Sequence, residues 1–381
     1  MKQFLSGLQK FFFRIFFISF PSLILLIIVL ELGIRAFLPV SDFPDTTFHP
    51  ALGNHFLSNQ RGFFIKGMHS EIRGKFRINQ QGWNSPHDYT ANTPLKTYRI
   101  AVIGDSYIEA LQVDYDKSYP YLLEKYINAE ETMLQDVEVY SFGHSGAQLA
   151  QYLNVLRHVT QKYQPDLVVF NIVYNDFIES LHDHSRKDNL SLEYSGESFS
   201  EIMPRPMNTL GLKKFLRKSA LARYLILNMD IANRIRPFTH FFYADIPQYN
   251  ANVNSTYLDK DLSFLKNMIE YVFIQSLNAL KPIDARLLLI LDANRASIYE
   301  NASLNDSKIH LFQEATKATA ENLNIPLLEL DPVFRETWKL EKKKFEFKFD
   351  GHWNGYAHRI ISETLKSRII LHLGNTNKKS K

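Results

Sequence analysis

The sequence predicts an α/β domain with a mainly parallel sheet covered by helices on both faces, preceded by one N-terminal transmembrane helix. Three observations predict it. An apolar run lies near the N-terminus; from Tyr98 onward, short apolar runs alternate with amphipathic stretches; and the first three of those runs end in turns rich in Gly, Ser, Asn and Asp. With 45% hydrophobic and 22% charged residues, the 381-residue chain can bury a sizeable core and is not of disordered composition. It has no cysteine, which excludes disulfides, thiolate metal sites and cysteine nucleophiles. A net charge of +4 is too dilute over this length for a nucleic-acid-binding protein, despite a pI near 8.9.

Residues 15–30 carry no charge, and the apolar character continues past Glu31 and Arg35 to Leu38. Residues 15–38 form a helix of about 36 Å at ~1.5 Å per residue, enough to cross a bilayer core. Glu31 and Arg35 stand four apart and can pair near the far interface. Lys2, Lys10 and Arg14 precede the run, which places residues 1–14 in the cytoplasm and exports the rest. A cleaved signal peptide needs a shorter apolar region and a small-residue cleavage site, and no Ala-x-Ala follows Leu30. A buried helix of a soluble protein is the third reading. Residues 39–97, rich in Gly, Pro, Asn and His, read as a connector packing on the domain edge.

The alternation begins with a buried strand over 98–103, a helix over 119–127 and a second strand over 137–142. Leu149, Tyr152, Leu153, Leu156 and Tyr163 repeat at helical spacing, and Pro165 ends that helix. Residues 167–173 are apolar at nearly every position, as at the centre of a parallel sheet. An insertion then spans about 177–257. Its clearest element is a helix over 212–229, with an apolar stripe of Leu212, Phe215, Leu216, Leu225 and Met229 opposed by Lys213, Lys214, Arg217, Lys218 and Arg223. This element reads as a cap over the site, as a surface helix with a solvated basic face, or as a contact for anionic lipid or an acidic polymer. A helix over 259–280, a strand over 285–292, a helix over 308–322, a strand over 325–330 and a last helix after Asn354 complete the domain, 98–373. The tail, 374–381, is polar and expected to fray from Asn375, and no internal repeat is present.

Four turns can carry chemistry. The first strand ends in Gly104-Asp105-Ser106-Tyr107, which puts a hydroxyl at the carboxyl end of a parallel strand, where open α/β sheets bind ligands. A serine is a weak nucleophile until a base removes its proton. The base is His352 in Phe349-Asp350-Gly351-His352-Trp353-Asn354, with Asp350 positioned to hold the imidazole tautomer. Ser145-Gly146 and Asn175-Asp176, after the second and third strands, can supply fixed donors for a tetrahedral oxyanion: the backbone N–H groups of Ser106 and Gly146 and the side-chain amide of Asn175. Taken singly, each turn has an ordinary structural explanation as a turn or helix cap; their co-occurrence in order is what points to acyl transfer.

With those four blocks in hand, the chain resembles the SGNH/GDSL hydrolase superfamily over about 98–373, most closely in layout its membrane-tethered bacterial members. The resemblance implies a flavodoxin-like three-layer α/β/α sandwich, Ser106 as nucleophile, His352 as base, Asp350 as its orienter, and Ser106, Gly146 and Asn175 as oxyanion donors. Three departures stand out. Tyr107 replaces the expected Leu, Val173 replaces the Gly of Gly-x-Asn-Asp, and a single residue, Gly351, separates Asp350 from His352 where many members have two.

The function this implies is hydrolysis of an acyl ester, of an acylated glycan or an envelope lipid, by a membrane-anchored esterase acting outside the cytoplasm through an acyl-enzyme. An O-acyltransferase acting on envelope or exported polysaccharide, and a non-catalytic glycan-binding or assembly component, use the same features. No cofactor or metal is expected. His182, Asp183 and His184 read as an exposed loop without a fourth ligand, and Lys342 to Lys344 as a solvated charge run able to attract an anionic substrate. Sequons at Asn189, Asn254, Asn301 and Asn305 mean little without a secretory pathway.

Overall fold

The computed structural model describes residues 11, 13–130, 135–207, 211–229, 231, 262–300, 309–348 and 350–379. The sequons at Asn254, Asn301 and Asn305, the basic residues Lys2 and Lys10, and much of the insertion lie outside them. The chain divides into two units: residues 1–43, 65–72 and 209–244, and the larger remainder.

The smaller unit contains the apolar helix. A π-helical turn, Ile15–Ser19, leads into α1, Phe20–Phe37, and the 23 residues Ile15–Phe37 are long and apolar enough to cross a membrane. The Arg35 Nε lies 2.6 Å from the Glu31 carboxylate, the i,i+4 pair expected from the sequence.

The larger unit begins with the hairpin β1, Thr46–His49, and β2, Gly53–Phe56, followed by β3, Gln60–Lys66, and β4, Ile72–Ile78, which pair with each other. The stretch read as a connector therefore carries four short strands. In β4 the side chains of Ile72, Gly74, Phe76 and Ile78 are buried and those between them more exposed. This period of two was hidden by the Gly, Lys and Arg between the apolar positions.

The main sheet follows. Its strands are β5, Thr97–Gly104; β6, Asp136–Gly143; β7, Leu167–Ile172; β10, Arg286–Leu291; and β11, Leu327–Glu329. All pairings are parallel, in the order β11-β10-β7-β5-β6. Counted along the chain this is 2-1-3-4-5, the flavodoxin-like doubly wound order, with its switch point beside β5. Alternation within β5 sends Ala101 and Ile103 to one core and Ile100 and Val102 to the other. The first core is covered by α4, Leu149–Tyr163, α8, Leu262–Leu280, and α10, Ile309–Asn322; the second by α3, Tyr119–Asn128, and α12, Gly355–Lys379. The result is three layers.

Between these lie shorter elements: α2, Ser106–Glu109; α5, Asn175–Glu179; the hairpin of β8, Ser191–Tyr194, with β9, Phe199–Ile202; α9, Arg295–Glu300; α11, Leu330–Glu341; and the two-stranded β12, Glu346–Phe347, with β13, Asp350–Trp353. In the smaller unit, the helix expected over 212–229 is broken into α6, Gly211–Lys218, and α7, Ala220–Arg223, running into a π-helical turn, Tyr224–Asn228. Ser219 makes the break: its backbone is extended and its Oγ accepts from the Ala222 N–H at 3.1 Å, a capping geometry that restarts the helix. The strand expected over 325–330 is only three residues long, because Leu330 already opens α11. Likewise α12 runs to Lys379 and takes in Asn375, so the tail continues the last helix.

Candidate active site

The nucleophile candidate sits at the switch point. Asp105 ends the turn after β5 and caps α2, its Oδ1 accepting from the Tyr107 N–H at 2.9 Å, so Ser106 becomes the first helical residue with its side chain partly exposed. This short helix lies across the end of β6. A Cβ on Gly143 would stand 2.0 Å from the Glu109 nitrogen, so only glycine permits the approach.

Asp350 and His352 lie in a strand. Residues two apart on a strand share a face, so the one-residue spacing aims both side chains the same way while Gly351 and Trp353 take the other. Asp350 Oδ1 accepts from the His352 backbone N–H at 2.9 Å and lies 2.5 Å from His352 Nδ1. His352 Nε2 lies 2.8 Å from Ser106 Oγ. With Nδ1 protonated toward the carboxylate, Nε2 is the acceptor for the serine proton. Asn354 then caps α12, its Oδ1 accepting from the Tyr356 and Ala357 N–H groups, each at 3.1 Å, which fixes the base-bearing strand to a long helix.

The remaining predicted residues emerge at the same sheet edge. Gly104 pairs with Gly143, which brings the turn after β6 beside the nucleophile turn. Gly146 adopts φ +77°, a left-handed conformation that glycine takes without penalty, and its carbonyl accepts from Asn189 Nδ2 at 2.5 Å. Asn175 opens α5 after β7, the other neighbour of β5, and hydrogen-bonds with Glu179. Val173, at the position of the family glycine, is buried and donates its N–H to Asp176 at 2.9 Å.

Residues 100–216 match the family model described as GDSL-like Lipase/Acylhydrolase. Over that stretch the chain is similar to the SGNH/GDSL hydrolase superfamily. It is a serine hydrolase acting on esters. Among solved structures it is similar to a lipolytic protein of the G-D-S-L family from Veillonella parvula, at 11% identity over 70% of this chain and 94% of that one, with a TM-score of 0.37. It is also similar to a catalytic mutant of an acetylxylan esterase from Geobacillus stearothermophilus, at 13% identity, 70% and 92% coverage and a TM-score of 0.38. A third is a psychrotrophic esterase from Pseudoalteromonas sp., at 13% identity, 72% and 98% coverage and a TM-score of 0.39. No curated protein sequence matches.

Two of this SGNH hydrolase's departures from its family pattern meet at one atom. The Tyr107 hydroxyl donates to the Gly351 carbonyl at 3.0 Å and accepts from Arg295 at 2.7 Å. The Tyr107 ring lies 4.9 Å from both the His352 ring and the Trp353 ring. A leucine at 107 reaches none of these polar groups. Arg295, 1% exposed, also lies 3.5 Å from Asp292 and from Glu346, and Trp353 Nε1 donates to Asp292 at 3.1 Å.

Several buried carboxyls, unremarked in the sequence, surround the site. Burial pushes Asp105 up to about 7, against the lowering effects of the Tyr107 N–H and His352. Asp176 is also raised by burial and by its proximity to Asp105; it accepts from the Tyr152 hydroxyl at 2.8 Å. Glu109, pushed up to about 7 by burial, accepts from the Ser145 N–H at 3.2 Å and from the Ser145 hydroxyl. It thereby occupies the N–H preceding Gly146 and fixes that turn. The neighbouring His144 ring, lowered to about 3 by burial, is neutral. Nothing in sequence spacing marks Glu109 or Arg295; only the folded chain brings them to the site. His182, Asp183 and His184 lie exposed, and among the described residues no three or more His, Cys, Asp or Glu side chains are grouped to hold a metal ion.

Proposed function

We propose that this SGNH hydrolase cleaves an acyl ester of an envelope glycan or lipid, anchored by residues 15–38 with its larger unit outside the cytoplasm. The observation that carries the reading is the relay of Ser106 Oγ, His352 Nε2 and Asp350 at 2.8 Å and 2.5 Å. Ser106 Oγ attacks the carbonyl carbon as His352 takes its proton. The carbonyl electrons move onto oxygen, and the oxyanion is held by the N–H groups of Ser106 and Gly146 and the Asn175 amide. Collapse expels the alcohol, which takes the proton from His352. Water, activated by the same imidazole, then releases the carboxylic acid and restores the serine. Asp350 stays ionised throughout and stabilises the imidazolium. The substrate class is supported by the anchor and its flanking charges, which favour a site at the cell envelope.

The test is Ser106→Ala. On p-nitrophenyl acetate, turnover falls to the uncatalysed level while the circular dichroism spectrum and melting curve stay those of the parent. Retained turnover in a folded Ser106→Ala protein rejects the mechanism. Acetylated polysaccharides and envelope lipids, compared by acid release, then separate the two substrate classes, and diversion of the acyl group to an added glycan identifies transfer in place of hydrolysis.

A further inference from the structure

In the smaller unit, the two charged residues of the apolar span are partners of the insertion. The Glu31 carboxylate accepts from the Ala220 N–H at 2.9 Å, the Leu221 N–H at 2.8 Å and the Ser219 hydroxyl at 2.8 Å. It therefore caps α7 from outside that helix, where Ser219 alone cannot satisfy every free N–H. Arg35 donates to the Lys218 carbonyl at 2.7 Å, while its Nε pairs with Glu31. Beyond the span the clasp continues. Asn228, 1% exposed, donates to the Pro39 carbonyl and accepts from the Ser41 N–H, each at 3.0 Å, and its own carbonyl accepts from the Gly67 N–H at 2.8 Å. Arg223 pairs with Asp42 at 2.9 Å, and the Arg217 guanidinium stacks 5.0 Å above the Phe43 ring.

These contacts set a depth. At ~1.5 Å per residue, the ~30 Å hydrocarbon core is used up about 20 residues after Ile15, so Glu31 and Arg35 fall at its outer boundary. Whatever they hold lies at the level of the headgroups. In this same unit, most polar groups of the clasp are paired, Arg223 Nε being buried without a hydrogen-bond partner, whereas large apolar side chains are left bare: Phe37 is 84%, Leu38 42%, Leu216 39% and Ile226 52% exposed. The pattern, polar side chains turned onto one another and apolar ones outward, suits lipid and not water. Arg217 and Lys218, in the last turn of α6, match the charge of anionic headgroups.

We propose that residues 216–229 form an interfacial collar clasped to the foot of the anchor, lying in the outer headgroup layer with anionic lipid as the partner of its exposed apolar side chains. This rests on the anchor reading given above and adds a role for the insertion: it buries the span's charges, holds the anchor as part of the fold, and fixes the exit of the chain from the membrane. A removable leader has no reason to supply the cap of a helix some 190 residues away.

The absence of cysteine makes the test direct. The full chain carrying Ile226→Cys is labelled with an environment-sensitive fluorophore and reconstituted in vesicles of phosphatidylcholine and phosphatidylglycerol containing lipids with a nitroxide near the headgroup. The Ile226 label should lose about half its emission, and a label at Leu340→Cys, on the larger unit, almost none. Leu216→Cys serves as a second site. Combining Glu31→Leu, which deletes the cap and leaves the span more apolar, should lower the quenching at Ile226 severalfold with the chain still resistant to alkaline extraction. Quenching at Ile226 and Leu216 no greater than at Leu340, in an alkali-resistant chain, overturns the collar and leaves the anchor standing. Release of the unmodified chain by alkali overturns the anchor and the collar with it, and unchanged quenching in Glu31→Leu overturns the clasp.

Discussion

Removing a single oxygen, by Tyr107→Phe, tests whether the nucleophile helix and the base strand are braced against each other. The ring and its 4.9 Å contacts to His352 and Trp353 remain; what is lost is the donor to the Gly351 carbonyl at 3.0 Å and the acceptor of the Arg295 proton at 2.7 Å. A neutral hydrogen bond contributes about 1 kcal/mol net and one to a charged group about 1.5–3 kcal/mol. Arg295 keeps its 3.5 Å approaches to Asp292 and Glu346, both longer than the 2.7 Å bond removed. Destabilisation of roughly 2–4 kcal/mol follows, read as a lower urea midpoint at unchanged slope. If about 1.4 kcal/mol of this reaches the alignment of His352 in the transition state, kcat falls about tenfold. Tyr107 is 1% exposed and its hydroxyl is engaged by Gly351 and Arg295, so KM should stay within about twofold. Tyr107→Leu, which restores the family residue, loses the ring contacts as well and should fall further. A Tyr107→Phe protein with parental kcat and parental urea midpoint refutes the bracing.

Three further outcomes are expected. Asn175→Ala removes one oxyanion donor and should lower kcat by about 10²–10³ with a small change in KM, measured on p-nitrophenyl acetate. Glu109 has a folded value near 7 against 4.5 in the unfolded chain, so between those values the unfolded chain gives up its proton first and stability falls as pH rises. Urea unfolding at pH 4.5 and pH 7.5 should show the parent losing on the order of 3 kcal/mol relative to Glu109→Gln, which lacks this proton; parallel pH profiles would contradict the burial of an ionising Glu109. Gly143→Ala forces a methyl group against the Glu109 backbone nitrogen and should destabilise by about 1–3 kcal/mol and lower activity by displacing α2, checked by thermal melting and turnover together.

Much of this was legible because it depends on local periodicity. The runs at 98–103, 137–142 and 167–173 are largely buried on both faces and read as mostly apolar, broken only by Arg99, Glu138, Ser141 and Asn171, so the strands and the turns at their ends could be placed within a residue or two. Asp350, His352 and Ser106 were legible as residue types in turns, whereas their approach is a property of the folded sheet. The hairpins of 46–78 and 191–202 escaped because a short strand with one solvated face carries few apolar positions and many Gly, Lys and Arg. The break at Ser219 was hidden because apolar residues at helical spacing stand on both sides of it. Glu109 and Arg295 could not be singled out, and Tyr107 stood out only as a departure from the family pattern, since their partners stand far away in sequence or, for Ser145, gain meaning only through a turn that the sheet positions.

The imidazole and the hydroxyl that share a proton are 246 positions apart, and the strand bearing the imidazole precedes only the final helix. A chain emerging from the ribosome therefore displays its serine long before the group that deprotonates it exists. Under the proposed mechanism the ester-cleaving machinery stays inert until the imidazole strand, 246 positions after the serine, has been made and has folded against it.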